Sequence, residues 1–451
     1  MRKSLLVAAA TLAMCGGARA QSNEELKGML DQALRTIQDL QARVQALEAQ
    51  QHQGAPALPT APAPAATAAA PAWPPAPVAA AQAAPPAGDQ PRVEFYGQVM
   101  LDAMVDSRRM NPDWQATFRP SQIPVDCPAD PGCGQAGAFH MSVRQSSLGL
   151  RATVPTALGP VKTDLAFDLF GTDGSTSVHW LRAWAEMGAW GAGQTDSNFM
   201  DLDAFPNILD YGGPPGMVFL RNPQLRYTGA GREGMTWAAS LEAPNSVLDT
   251  GRLTEVDPAL GAGITAHNRL PDLVGSLRLD RPWGHAKAAA ILREVGYQTR
   301  TTPSGNPSGQ RTGYGLNFTG VVNLSQRDRL GGGLVAGRAI ASYMNDGGID
   351  LAPDARLRAQ AVPSLGWSAY WGHAWNAQWA SSIGYSEHRQ DNTGGQAGNA
   401  LRTGSYASAN LLYTLAPNVL LGGEYLWGRR ENKDGGTGID SRIQFSTRVS
   451  F

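Results

Sequence analysis

Arginines set against carboxylates carry the chemistry of this 451-residue chain, and nothing else in it does. Basic residues total 37 and acids 38, for a formal net charge of -1 at neutral pH. Lysine appears only at positions 3, 27, 162, 287 and 433, so the positive charge is almost all guanidinium. Guanidinium stays protonated at any physiological pH and grips carboxylates through paired N–H donors. Catalytic groupings are missing. His140, His179, His267, His285, His373 and His388 are scattered, with no helical metal pair and no thiol beside them. Ser368, in Gly366-Trp-Ser-Ala-Tyr370, lacks the second glycine of a nucleophile elbow. We therefore expect no enzyme, no metal and no cofactor, and the scattered basic residues give no nucleic-acid footprint.

Three segments precede the part that holds these arginines. Residues 1–20 read as a signal peptide: Arg2 and Lys3, an apolar run from Leu5 to Met14, then Ala18-Arg19-Ala20 as a small-x-small cleavage site. Residues 21–53 carry heptads, with Leu30, Ile37 and Val44 at one seam position and Leu26, Ala33, Leu40 and Leu47 at the other, which predicts a short α-helical coiled coil. Residues 54–90 are almost wholly Ala, Pro, Gly and Gln, an extended spacer. After cleavage only Cys127 and Cys133 remain, in DCPADPGC, and an exported chain favours a loop-closing disulfide between them.

From residue 91 to 451 the apolar pattern has a period of two, broken by turn residues. We place sixteen strands near 92–106, 141–154, 160–170, 177–188, 189–195, 223–229, 234–243, 270–280, 284–296, 311–323, 328–339, 360–371, 374–387, 402–414, 418–430 and 439–451. Every second connection is tight, and the alternate ones include long loops at 107–140, 196–222, 244–269 and 340–359. That rhythm predicts a 16-stranded antiparallel outer-membrane β-barrel behind a periplasmic coiled coil, with short periplasmic turns and long outer loops. A closed barrel satisfies every backbone group in lipid without a continuous apolar run. Sixteen strands leave a water-filled channel. Trp367, Tyr370, Trp371, Trp375 and Trp379, crowded around a turn placed at 372–373, read as an interfacial girdle.

The alternation assigns faces. Leu148, Leu150 and Val154 face lipid and put Arg151 inside; Leu181, Ala183, Ala185 and Met187 outside put Arg182 and Glu186 inside; Leu225 and Tyr227 outside put Arg226 inside. Arg442 and Arg448 point into the water of the channel from the last strand. Arg144 sits nearer the outer mouth, and Arg221 belongs to a segment at the third long connection, where Asp201 and Asp203, with Asp164 and Asp168 on the wall, supply opposing charge. The set Arg144, Arg151, Arg182, Arg221, Arg226, Asp201 and Asp203 is thus our expected pore lining, favouring small anions. The competing reading is a surface adhesin, or a structural barrel that links envelope layers without transport.

The most unusual stretch is FMDLDAFPNILDYGGPPGMVFLRNPQLRYTG at 199–229. With GQTDSNFMD at 193–201 and VRQSSLGLRATVPTALG at 143–159, it resembles the DcaP-like trimeric outer-membrane porins. The resemblance implies a homotrimer, an arginine-lined diffusion channel and solutes such as dicarboxylates. The final strand, SRIQFSTRVSF, alternates cleanly and ends on Phe451, which resembles the signal by which outer-membrane assembly machinery selects clients.

Overall fold

In the computed structural model the described residues are 90–108, 110–125, 137–300 and 305–451. The expected signal peptide, coiled coil and spacer, and the Cys127–Cys133 pair, lie outside them.

The described residues contain eighteen strand segments in one sheet. Two staves are each made of two segments, so the sheet has sixteen: β1 Arg92–Asp106; β2 Phe139–Ser142 with Ser147–Val154; β3 Val161–Phe170; β4 Thr176–Met187; β5 Trp190–Asp196; β6 Arg221–Ala230; β7 Met235–Glu242; β8 Thr265–Ala266 with Asp272–Arg281; β9 Gly284–Gln298; β10 Ser308–Asn323; β11 Asp328–Arg338; β12 Pro363–Ala374; β13 Trp379–Gln390; β14 Leu401–Ala416; β15 Val419–Asn432; β16 Thr437–Ser450. Each pairs antiparallel with its chain neighbour, and β16 pairs with β1 from Gln98↔Ser450 to Asp106↔Arg442, closing the sheet into a barrel. Phe451 extends this seam, its backbone N–H donating to the carbonyl of Gly97 and its own carbonyl accepting from Gly97 N–H.

The sixteen expected strands are all present, with ends shifted by a few residues. The largest shift is at the twelfth turn. Gly372 and His373 remain in β12, and the chain reverses at 375–378. The determinant is Asn376, whose Oδ1 accepts from the backbone N–H of Gln378 at 2.9 Å and of Trp379 at 3.0 Å. A glycine suggests a turn by its freedom, but an asparagine closing on its own backbone fixes one. We expect Asn376→Ala to cost about 1 kcal/mol, the worth of one such local bond, read as a small drop in the temperature at which the folded band unfolds on a gel.

Outward positions are apolar and exposed: Phe95, Leu101, Leu165, Leu241, Leu316, Leu334, Ile383 and Phe445 all present more than two fifths of their surface. The end with short turns carries a ring of exposed indoles, Trp190, Trp237, Trp283, Trp371, Trp375 and Trp379, as an interfacial girdle requires. Tyr370, expected there, points the other way and is 4 % exposed.

Loops from the opposite end fold inward and form the buried apolar clusters. Met110, Phe118 and Ile123 of the first loop pack on Tyr406 and Leu426 of the wall. Phe199, Met200 and Val218 of the 197–220 loop pack with Ile340, Tyr343 and Met344 of the 339–362 loop and with Val274, Ile291 and Val335 of the wall. Two short helices in the fourth loop, α1 Leu253–Val256 and α2 Pro258–Ala262, seat Leu253 and Leu260 beside Tyr297 and Leu351.

Candidate functional site: the inner wall and the loop that crosses it

The alternation that makes the outside greasy leaves every second side chain of each stave for the interior. Register places Arg151 of β2 beside Asp164 of β3. On β4 an irregularity in pairing between Ala166 and Phe167 passes over Leu181, and Arg182 pairs with Ala166 on the inner face. Here the arginines form a chain with two acids. Arg151 Nε lies 3.7 Å from Asp164 Oδ2, Arg182 reaches Asp164 at 3.9 Å and Asp196 at 2.8 Å, and Arg221 Nε reaches the other oxygen of Asp196 at 2.9 Å. The Tyr96 hydroxyl donates to Asp164, and the Arg151 guanidinium stacks 4.0 Å over the Tyr96 ring. Among the described residues Arg226 of β6 binds only neutral oxygens, Gln224 Oε1 and the Asp196 carbonyl, and lies 5.7 Å from the Trp184 ring. Its charge is the least compensated of the group.

Four of the five expected arginines therefore converge. Arg144 does not. It sits where β2 breaks between Ser142 and Ser147, and its guanidinium donates to Thr176 Oγ1 and the Gly174 carbonyl of the 171–175 loop. The sequence pattern ran through this break as if the strand were continuous. Arg442 also departs from expectation: it is fully buried, forked onto Asp106 at 2.6 and 2.9 Å and donating to the Gln115 carbonyl, under the Phe118 ring. It ties the first loop to the seam and meets no open channel. Arg448 is half-buried on the same inner face, with no ion pair among the described residues.

The 197–220 loop touches the wall almost all the way round. At its start Ser197 Oγ and Asn198 N–H donate to Glu242 of β7. At its far reach the N–H groups of Leu209 and Asp210 both donate to Glu424 of β15, at 2.8 Å each. Tyr211 donates to Asp168 of β3 and stacks on Phe170 at 4.0 Å. On the way back Gly216 N–H donates to Ser386 Oγ of β13. A Cβ at Gly216 would sit 2.2 Å from the Glu387 carbonyl oxygen, so only glycine lets the loop lie this close to the wall.

Asp201 and Asp203 are the loop's clamps. Asp201, 4 % exposed, accepts from His285 Nε2 at 2.9 Å, Thr319 Oγ1 at 2.6 Å and Arg278 Nη1 at 3.4 Å. Asp203 pairs with Arg278 at 2.7 Å, and its carbonyl accepts from Arg329. Lys287 donates to the Met200 carbonyl at 2.6 Å. Asp201, expected as an opposing charge of the pore lining, is thus a buried anchor of the loop, while Asp203 stays two-fifths exposed. Arg278, Lys287 and Arg329 were missed in the sequence, although the pattern held them: Leu277 and Leu279 outside put Arg278 inside, and Ala286 and Ala288 do the same for Lys287.

Burial alone would raise the Asp201 carboxyl, but the hydrogen bond and charge of His285 and the Thr319 hydroxyl outweigh it and hold it at about 2. A depressed carboxyl contributes its stabilisation fully above its free value near 3.8, and that contribution is lost as pH falls towards 2. We expect single-channel conductance to be flat from neutral pH down to about 4 in this respect and to rise only below, as the loop's clamp is protonated.

A family model described as DcaP outer membrane protein matches residues 78–237, which include β1 to β6 and the crossing loop. Over those residues the chain is similar to the DcaP outer membrane proteins. The barrel superposes on the crystal structure of the outer membrane channel DcaP of Acinetobacter baumannii with a TM-score of 0.69 at 20% identity, over 80% of this chain and 97% of that one. It also resembles an anion-selective porin from Comamonas acidovorans, with a TM-score of 0.52 at 11% identity, over 80% of this chain and 100% of that one. Both likenesses are of fold. Comparison with curated proteins returned no match.

Proposed function

We propose that this DcaP-like chain is an outer-membrane porin: a water-filled channel through which small hydrophilic solutes diffuse, favouring anions such as dicarboxylates. The observation that carries this reading is the inner-wall basic group, in which Arg226 and Arg448 have no carboxylate partner among the described residues while Arg151 and Arg182 share theirs. A fixed guanidinium in a narrow, loop-lined passage attracts anions and offers carboxylates a forked site. The Comamonas porin of similar fold is anion-selective, which runs in the same direction. The long-loop end faces the cell exterior and the indole-ringed short-turn end faces the periplasm, as in other outer-membrane barrels.

The working unit is a homotrimer. Support comes from the outward face of β16 and β1 to β4, which carries no charged residue in its paired rows, whereas other arcs do. The residues before the barrel act as signal peptide, periplasmic coiled coil and spacer, Cys127 and Cys133 close a loop, and Phe451 marks the chain for outer-membrane assembly. The test is liposome swelling with purified protein. Swelling in small dicarboxylates faster than in neutral sugars of equal size supports the reading; no flux from a correctly inserted barrel would favour the adhesin or structural alternative.

A further inference from the structure

Charged residues at lipid-facing positions of a barrel are destabilising at the bilayer midplane and tolerated only near its surfaces. One arc of this barrel gathers them. On the outward face of β11 to β15, at the long-loop end, stand Arg338, Arg389, Arg402 and Arg429, interleaved with Glu387, Asp391 and Glu431. The register fixes their neighbours: Arg389 pairs with Leu365 and Thr403, Thr403 with Glu431, and Ser405 with Glu387 and Arg429. Just below lies an aromatic row, with Trp367 and Tyr385 at 5.2 Å between ring centres and Trp427 beyond them. The charges therefore sit at the level where acyl chains end and headgroups begin.

The acids in this patch leave the guanidiniums with donors to spare. Glu431 takes Arg429 at 3.0 Å, but Arg402 only at 3.5 Å, and Asp391 stands 3.7 Å from Arg389. Glu387 accepts from the Tyr385 and Ser405 hydroxyls. Arg338 is exposed and has no ion pair among the described residues. Each guanidinium carries five N–H donors, so four cations spread over four strand intervals, about 20 Å of rim, retain donors aimed at the surrounding lipid.

We propose that this patch binds the phosphate groups of lipid headgroups in the outer leaflet, with Arg338, Arg389 and Arg402 as the principal donors. Forked guanidinium–phosphate bonds supply the recognition, and the aromatic row below packs on the first carbons of the acyl chains. The inference rests on the orientation proposed above, in which the long-loop end faces outward. It concerns a different surface from the channel, so solute flux separates the two readings.

The experiment is native mass spectrometry of the assembled protein titrated with diphosphorylated lipid A, with the fully dephosphorylated lipid as comparison. Wild type should bind the phosphorylated lipid at least tenfold more tightly, and R338Q/R389Q/R402Q should erase that preference while retaining heat-modifiable folding and normal flux. The triple lysine variant keeps charge without the fork and should fall between. Equal binding by wild type and the glutamine variant, equal binding of the two lipids, competition by inorganic phosphate alone at the same affinity, or dissociation of the oligomer in place of lipid loss would each overturn the proposal.

Discussion

Arg442→Ala should lower the stability of the barrel by about 3–5 kcal/mol, the cost of leaving a buried charge without its partner. The side chain is fully buried, and its fork holds Asp106 at 2.6 and 2.9 Å across the seam between β16 and β1. Asp106 is itself 2 % exposed and would be stranded. The first loop would also suffer, because Arg442 donates to the Gln115 carbonyl and lies under Phe118, whose ring packs with Tyr406. The readout is the temperature at which the folded band gives way to the unfolded one on a gel. Replacing both partners, Arg442→Met with Asp106→Leu, removes the stranded charge and should restore most of the loss, since buried ion pairs can be replaced by apolar pairs of similar volume. A single substitution without effect would mean that the seam does not depend on this pair.

Asp201→Ala should open the channel rather than unfold the barrel. The carboxylate is the acceptor for His285, Thr319 and, more distantly, Arg278. Removing it takes that acceptor from the buried His285 and the half-buried Thr319, while Arg278 keeps Asp203 and Asp280. The cost falls at the lower end of the range for a broken buried pair, about 3 kcal/mol, which moves the ratio of docked to released loop by roughly a hundredfold. The remaining ties at Glu424 and Ser386 hold the loop's tip and return. Planar-bilayer recordings should therefore show larger and noisier single-channel steps than wild type, with gel mobility unchanged. Steps of unaltered size would show that the clamp does not set the constriction.

How much of this could be read in the sequence divides along physical lines. The sixteen staves were legible because a lipid face imposes strict alternation, and a one-residue slip would put charge in the bilayer. Arg151, Arg182 and Arg226 were legible for the same reason: an apolar residue on either side fixes the direction of the one between. Arg144 was not, because β2 breaks beside it, and a break erases the parity on which the inference depends. Asp201 was found as a charge but not as an anchor. Its partners His285 and Thr319 lie 84 and 118 residues away in the chain, a pairing that only the closed barrel creates. Arg442 fell between the two cases, since parity gave its direction correctly and said nothing of the first loop folded over it.

If the inner wall favours anions, the zero-current potential across a planar bilayer in a potassium chloride gradient carries the sign of chloride preference for wild type. The substitution R226Q/R448Q should move that potential towards zero, each lost charge being worth about 1 kcal/mol to an ion 4 Å away in water. A potential with the sign of potassium preference in the wild-type channel would contradict an anion-favouring wall.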